Sequence, residues 1–582
     1  ESDDYDSSEY RNFIADNFSL QKQLQSIENI INRDNKYQDA VSQTIGLSHE
    51  ERTTPSKEQD STPNAKGHAR VYPDEAFSSD PEIRIKVLTQ EVNKQLSLRR
   101  FDIAETTLER LAIMTSYSND VIIGKLIELY QMRDDIPKIQ SIWKRAAVSD
   151  MEKNNLDRFL DNCYKSIYSE IIFGKAPNYK YSKTDEDINA FISLSAKAHS
   201  LYKWVQKNRK KPEYTETAKL KIGIILEGFN QNSAPIRTYF PMAEYYDRNK
   251  FEIYFYSRWC LKDENAKKQQ HDVTARFFQQ KGCHVRTPEC QHSPMEQVSF
   301  ITKQITNDEI DILIFQTSYF VPPYNFISCL RPAFFQARIE HQQPEYSTNF
   351  DLDFTMNKAV FESANKTSEF PISQDGPPAT TIIKRSDYGI PDNAIILVSS
   401  NRNVRYNQKP FWDEVSAMLR KHQNVFFIAI GLSNLDGLLP ETCQELKKRI
   451  VTPGFRTDVM SFMEISDLYV DIFPSGGGSS LIEAMQAGLP TVSFGTNYST
   501  LFSISDESLA HDYIATEDLV IPYGNTTNWH ETMDRLILDS DWRKKMSKAM
   551  VKRSDDYAPD RVVNNFLTTL KTAYHEKVLR SS

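Results

Sequence analysis

Six cysteines in 582 residues (Cys163, Cys260, Cys283, Cys290, Cys329, Cys443) are too few and too scattered for a disulfide scaffold, and they fit a reducing compartment. No run of about eighteen apolar residues occurs, which argues against a membrane-spanning helix. The opening Glu1-Ser-Asp-Asp-Tyr-Asp6 is the opposite of a signal peptide, although a chain that starts without methionine leaves room for a removed upstream piece. Basic charge is not in excess either. The formal net charge of −9 gives no nucleic-acid footprint, so a phosphate ligand would need a local site. Four Asn-x-Ser/Thr sequons (Asn17, Asn365, Asn497, Asn525) would suggest secretion only if other signals agreed, and none does. The expectation is a soluble, cytoplasmic protein.

What is present calls for about three folded units. Residues 1–45 carry Leu20, Leu24, Ile27, Ile30 and Ile31 at helical spacing, as one amphipathic helix that needs a partner surface. Residues 46–81 lose periodicity and read as a flexible linker. Residues 82–215 read as an all-helical domain. Segments starting at Leu98 and Met132 are about 34 residues apart, near the tetratricopeptide period. Two degenerate copies leave both a tetratricopeptide-like array and an ordinary antiparallel helical domain open; either offers a surface to another protein. Two α/β series follow, over 216–385 and 386–582. The first starts with the strand in Lys219-Leu-Lys-Ile-Gly-Ile-Ile-Leu226, the second with Ala394-Ile-Ile-Leu-Val-Ser-Ser400, and a helical tail runs from Trp529. Two such series predict two Rossmann-like lobes that bind ligands at the carboxyl ends of their strands.

The chain is organised around Asp471-Ile-Phe-Pro-Ser-Gly-Gly-Gly-Ser-Ser-Leu-Ile-Glu-Ala-Met-Gln486. The pattern predicts a strand over 468–473, a tight turn over 476–480, a helix over 481–486 and a second strand over 491–494. Gly477 and Gly478 let backbone approach a ligand closely, and Ser479 and Ser480 stand where a helix opens with free N–H groups and a positive dipole end. Such a site suits a phosphate. Glu483, about one turn in, could reach back to the ribose hydroxyls of a bound nucleotide.

Several segments, in order, carry a resemblance. Ile310-Asp-Ile-Leu-Ile314 with Leu330-Arg-Pro-Ala-Phe-Phe-Gln336 resembles a signature of glycosyltransferase family 41, the O-linked N-acetylglucosamine transferases and bacterial adhesin N-glucosyltransferases. Ile222–Leu226 with Lys250–Tyr256, Gly389–Asn401, and the Gly-rich turn with Ala487-Gly-Leu-Pro490 are similar to further parts of that family, so the likeness covers about residues 219–570. It implies an α/β GT-B fold of two facing Rossmann-like lobes, the first on the acceptor side and the second holding the donor. It also implies inverting transfer of glucose or N-acetylglucosamine from a UDP-sugar to Ser/Thr or Asn of a protein, with no cofactor and no metal. By position, Ser479 and Ser480 meet the diphosphate, Glu483 the ribose, and Asn401 lies in the donor site. Arg405, with Lys409 as the other candidate, neutralises the departing UDP. The family's histidine after the first strand has no counterpart; Asn232 sits about there, and His341 and Glu227 compete as catalytic base.

Other chemistries were weighed against these residues. Asp351-Leu-Asp353 resembles a D-x-D metal motif, too unspecific a signal to set against the expectation of no metal, and Cys283, His284, Cys290 and His292 could suggest a zinc loop, but the spacing fits no standard finger and the expectation is a polar structural loop. Ser475, Ser479 and Ser480 lack the elbow of a serine hydrolase. The rivals within the fold are a retaining glycosyltransferase acting on a glycan or small acceptor, for which Ser475 replaces the first of two expected glutamates, and a UDP-sugar epimerase. A non-catalytic partner subunit is the rival of another class.

Overall fold

In the computed structural model, residues 80–133, 135–173, 183–212, 218–230, 234–316, 321–340, 349–355, 366–369, 382–473, 476, 478–495, 514 and 516–581 are described, all within the unit Tyr72–Ser582. The amphipathic segment 1–45 and the linker through residue 79 lie outside them. Helices come first: α1 (Pro81–Ser97), α2 (Phe101–Met114), α3 (Asp120–Met132), α4 (Ile136–Glu152), α5 (Leu156–Phe173), α6 (Lys183–Ala198) and α7 (Ser200–Asn208). Their starts are written locally. The Asp80 carboxylate accepts from Glu82 N ahead of α1, which has Pro81 in its first turn, and the Asn119 side chain accepts from Val121 N and Ile122 N ahead of α3. Leu88, Leu108, Leu111, Leu126, Ile139 and Ile142 form a core of their own.

The first lobe follows as β1 (Leu220–Ile225), α8 (Ala234–Arg237), α9 (Tyr239–Tyr245), β2 (Phe251–Tyr256), α10 (Glu264–Lys268), α11 (His271–Gln280), β3 (His284–Arg286), α12 (Pro294–Asn307), β4 (Ile312–Phe315), α13 (Pro322–Leu330), β5 (Phe335–Glu340), β6 (Leu352–Thr355) and β7 (Lys366–Glu369). The second contains β8 (Ile395–Ser400), α14 (Lys409–Lys421), β9 (Val425–Ile430), β10 (Ile450–Val451), α15 (Val459–Glu464), β11 (Leu468–Val470), α16 (Ser479–Gln486), β12 (Thr491–Phe494), β13 (Val520–Ile521), α17 (Thr526–Leu538), α18 (Ser540–Ser554) and α19 (Pro559–Ser581). The sheets run β3-β2-β1-β4-β5-β6-β7 and β10-β9-β8-β11-β12-β13, and their strand pairs are parallel. The central strands are near-continuous apolar runs because helices cover both faces, as in Ile222, Ile224 and Ile225 of β1. These are the two Rossmann-like lobes expected from the sequence. Strand order reverses between β1 and β4 and again between β8 and β11, the points at which open sheets of this kind bind their ligands.

The helices before β1 are attached to the first lobe. Asp157 Oδ1 accepts from Met295 N at 2.8 Å, and Gln206 and Arg209 donate to the carbonyls of Leu330 and Arg331 at 3.1 and 3.2 Å. Between them and the sheet, all nine residues of α13 are buried. At the other end, α19 returns to the first lobe. Lys577 Nζ donates to Phe334 O and Asp351 Oδ1 at 2.8 Å each, and Phe566 packs on Phe354. No described helix is long and apolar enough to cross a membrane.

One sequence expectation is corrected here, and a motif that the sequence reading set aside finds partners within the protein. The polar loop expected around Cys283 and His284 contains β3, with the His284 ring stacked on Tyr254 and the buried Cys283 thiol pushed by burial up to about 12, the wrong direction for a zinc ligand. The Asp351-Leu-Asp353 pair meets protein cations: Asp351 accepts from Arg331 at 2.7 Å and from Lys577, while Asp353 lies in β6, fully buried, paired with Arg338.

Candidate active site

In the second lobe the residues at the β8/β11 reversal are locked from below. Tyr406, fully buried, places its hydroxyl 2.8 Å from Ser399 O and 3.0 Å from Ile430 O, and its own carbonyl accepts from Trp412 Nε1 at 2.7 Å. Asn401 N donates to Ile430 O at 3.1 Å, and Gly431 approaches so closely that a Cβ on it would sit 1.8 Å from Asn401 O. Asn401 thus shapes the rim through its backbone. A 3₁₀ turn, Asn403–Tyr406, then aims Arg405 across to the next strand's loop, where Nη1 donates to Gly476 O at 2.6 Å. Burial pulls the Arg405 pKa down and neighbouring Arg402 adds to that, while Asp471 opposes it. A guanidinium stays charged regardless, so this one is held where an incoming anion would relieve it.

The α16 helix starts at the same turn. Gly478, its N-cap, offers no capping side chain, Leu481 N donates to Gly478 O at 3.0 Å, and Ser480 lies in that first turn, at the helix end that favours an anion. Ser479 opens the helix; Gly477, Ser475 and Pro474 lie outside the described residues. Glu483 is buried, and its Oε1 accepts from Arg237 Nη2 at 3.2 Å, from α8 in the first lobe. Burial pushes the Glu483 pKa up and Arg237 pulls it back. Lys409 does not join this group: its side chain is exposed and its ammonium goes to Asp413, 2.6 Å away along α14. The structure therefore brings Arg405, Gly478, Ser480 and Glu483 to one turn and leaves Lys409 out.

At the β1/β4 reversal, Glu227 follows β1 and is paired with Arg258, with Nε to Oε2 at 3.4 Å. Burial would lower the Arg258 pKa, but Glu227 outweighs it and the net shift is upward. The Tyr324 hydroxyl donates to Leu226 O at 2.8 Å and accepts from Arg258 N at 3.2 Å, fixing both ends of the pair. His341 and Asn232 lie outside the described residues.

Two residues escaped the sequence reading. Arg237 is one; its place in the first helix after β1, opposite a strand-order reversal, was the available signal. His271 is the other. It is buried under the loop after β1, where a Cβ on Gly228 would lie 2.8 Å from its Cε1, and neither ring nitrogen has a hydrogen-bond partner among the described residues. Nothing in the sequence marks it.

Residues 392–539, from the start of β8 through the turn to the end of α17, match the family described as glycosyl transferases group 1. No curated protein matches the sequence. Among solved structures, a mutant O-GlcNAc transferase of Thermobaculum terrenum is similar at 13% identity over 87% of this chain and 100% of its own, with a TM-score of 0.48. A glycosyltransferase of Rickettsia africae covers 62% of this chain and 100% of its own at 13% identity and a TM-score of 0.45. Anabaena HepE, solved with UDP-glucose, covers 61% and 100% at 15% identity and 0.42.

Proposed function

We propose that this chain is an inverting, metal-independent glycosyltransferase that moves glucose or N-acetylglucosamine from a UDP-sugar to a Ser, Thr or Asn side chain of a protein. One observation carries the reading. At the strand-order reversal of the second lobe, inside the segment that matches the glycosyl transferase family, an uncapped helix N-terminus, the half-buried Arg405 and the buried carboxylate of Glu483 converge on one glycine turn. The diphosphate lies on the N–H groups from Gly477 to Ser480. Glu483 accepts from the ribose hydroxyls, about 6 Å further along the helix at 1.5 Å per residue.

In the transfer step an acceptor hydroxyl or amide attacks the anomeric carbon while the bond to the UDP oxygen breaks. Negative charge then grows on the diphosphate, where Arg405 and the α16 N-terminus are already oriented and need not reorganise. The proton leaves for a carboxylate or imidazole on the first lobe. Glu227, held by Arg258 at the end of β1, is the candidate within the described residues, and His341 is its competitor. Glu227→Gln and His341→Ala, assayed separately, assign the base to whichever abolishes turnover with donor binding retained.

The test of the whole reading is titration calorimetry with UDP, followed by transfer from labelled UDP-glucose and UDP-N-acetylglucosamine into a lysate from the protein's own source, the label being located by mass spectrometry. No heat with UDP would overturn it in favour of a non-catalytic subunit. A second reading, retaining transfer, is kept because Glu483 occupies the second glutamate position of that motif; product with the donor's own anomeric configuration would select it.

A further inference from the structure

An ion pair joins the lobes at the donor turn. Arg237 Nη2 lies 3.2 Å from Glu483 Oε1, between residues 246 positions apart, with Glu483 almost wholly buried and Arg237 mostly so. Glu483 is on the fifth residue of α16 and Arg237 closes α8, the first helix after β1. A carboxylate offers about four lone-pair sites on two oxygens, so binding Arg237 through Oε1 leaves capacity at Oε2 for hydroxyl donors. Arg237 supplies five N–H donors in a rigid fork, which orients the carboxylate as well as attracting it.

We propose that Arg237 is a positioning residue for donor recognition: from the first lobe it holds the Glu483 carboxylate of the second lobe in the orientation that accepts the two ribose hydroxyls. The inference rests on the reading of this turn as a UDP-sugar site. Its consequence is that the ribose is read only when both lobes are in place, because the first lobe contributes the group that keeps the reader in register. Burial acts on Glu483 in the same sense. Without the guanidinium, the buried carboxyl is driven toward its neutral form, which has given up its charge and turned one acceptor site into a donor.

The experiment compares UDP with 2′,3′-dideoxy-UDP by calorimetry in wild type, Arg237→Ala, Arg237→Lys and Glu483→Gln. Wild type is expected to prefer UDP by about ten- to a hundredfold, the range for hydrogen bonds to a charged group. In Arg237→Ala and Glu483→Gln the preference collapses to within about threefold, with dideoxy-UDP binding itself little changed, and Arg237→Lys recovers part of it. The double variant should lose no more than either single one, since the two residues act as a unit. A folded Arg237→Ala protein that keeps the wild-type preference would overturn the positioning role while leaving the donor site standing. Should Arg237→Ala not fold, an undiminished preference in Glu483→Gln overturns it equally. Wild type that binds neither nucleotide would overturn the site and this inference together.

Discussion

At the scale of single residues, Arg405 and Lys409 are the clearest contrast. Both are cations near the start of α14, and four positions of sequence decide which reaches the turn. The 3₁₀ turn over Asn403–Tyr406, pinned by the buried Tyr406 hydroxyl, sends Arg405 to Gly476 O, whereas Lys409 finds Asp413 one helical turn on. Arg405→Ala should therefore lower kcat more than it raises the donor KM, because the charge it meets develops in the transition state. Lys409→Ala should leave both nearly unchanged, and a reversed pattern in steady-state kinetics would move the role to Lys409. His271 carries a prediction of a different kind. Burial lowers its pKa, against a small opposing pull from Asp272. Below the ordinary histidine value of about 6.5 the unfolded chain then binds more protons than the folded one, so stability falls as pH drops through that region. Denaturant unfolding at pH 7 and pH 5 should show a smaller acid loss in His271→Leu than in wild type; equal losses would contradict it. Gly478, Ser480 and Glu483 were legible because helix-start chemistry is local, written in consecutive residues. Arg237 and His271 were not, because what defines each is a neighbour brought by the fold: Glu483 for the first, Gly228 for the second.

At the scale of elements, glycine serves two purposes around the same crevice. Gly431, after β9, has φ of +95° and a neighbouring carbonyl where a Cβ would go, so it is a requirement of the fold. Gly431→Ala should cost at least about 1–3 kcal/mol of stability, from backbone strain alone, measured by chemical denaturation. Gly478 caps α16 at negative φ, and in the proposed function its purpose is the close approach of a ligand. Gly478→Val should leave a folded protein whose UDP affinity is weaker by on the order of 1–3 kcal/mol, as for lost hydrogen bonds at a desolvated site. Unchanged affinity in calorimetry would remove the diphosphate from this turn. Long apolar strands were read almost to the residue: β1 runs over Leu220–Ile225 within the expected 219–226, and β8 over Ile395–Ser400 against an expected 394–400. Short strands were lost. β3, β6 and β13 are two to four residues long, and β6 carries Asp353, whose charge reads as loop until Arg338 of β5 is seen beside it.

At the scale of the molecule, the helices before β1 are bound to the first lobe rather than appended to it. Asp157, Gln206 and Arg209 all bond to that lobe, and α13 is buried between helices and sheet. Removing residues 1–170 would uncover apolar surface, so a loss of activity on truncation would report damage to the lobe and not to acceptor docking. Point changes on the outer face separate the two. Leu98, at the C-cap of α1, and Val121 and Met132, both in α3, expose between 52% and 65% of their surface, and exposed apolar groups of this kind are what a docked polypeptide would contact. An acceptor chain must be ordered to enter the crevice, at a cost of about 0.5–1.5 kcal/mol per immobilised side chain, which contacts spread along the helices can offset. If the acceptor is a protein docked on this face, Leu98→Asp combined with Val121→Asp and Met132→Asp should raise the KM for the protein acceptor by roughly ten- to a hundredfold, equivalent to losing about 1.4–2.8 kcal/mol of apolar contact. UDP affinity and transfer to a short peptide that reaches only the crevice should be unchanged. A triple variant with wild-type KM for the protein acceptor would place docking elsewhere, and label recovered only on saccharides would show that the acceptor is not a protein.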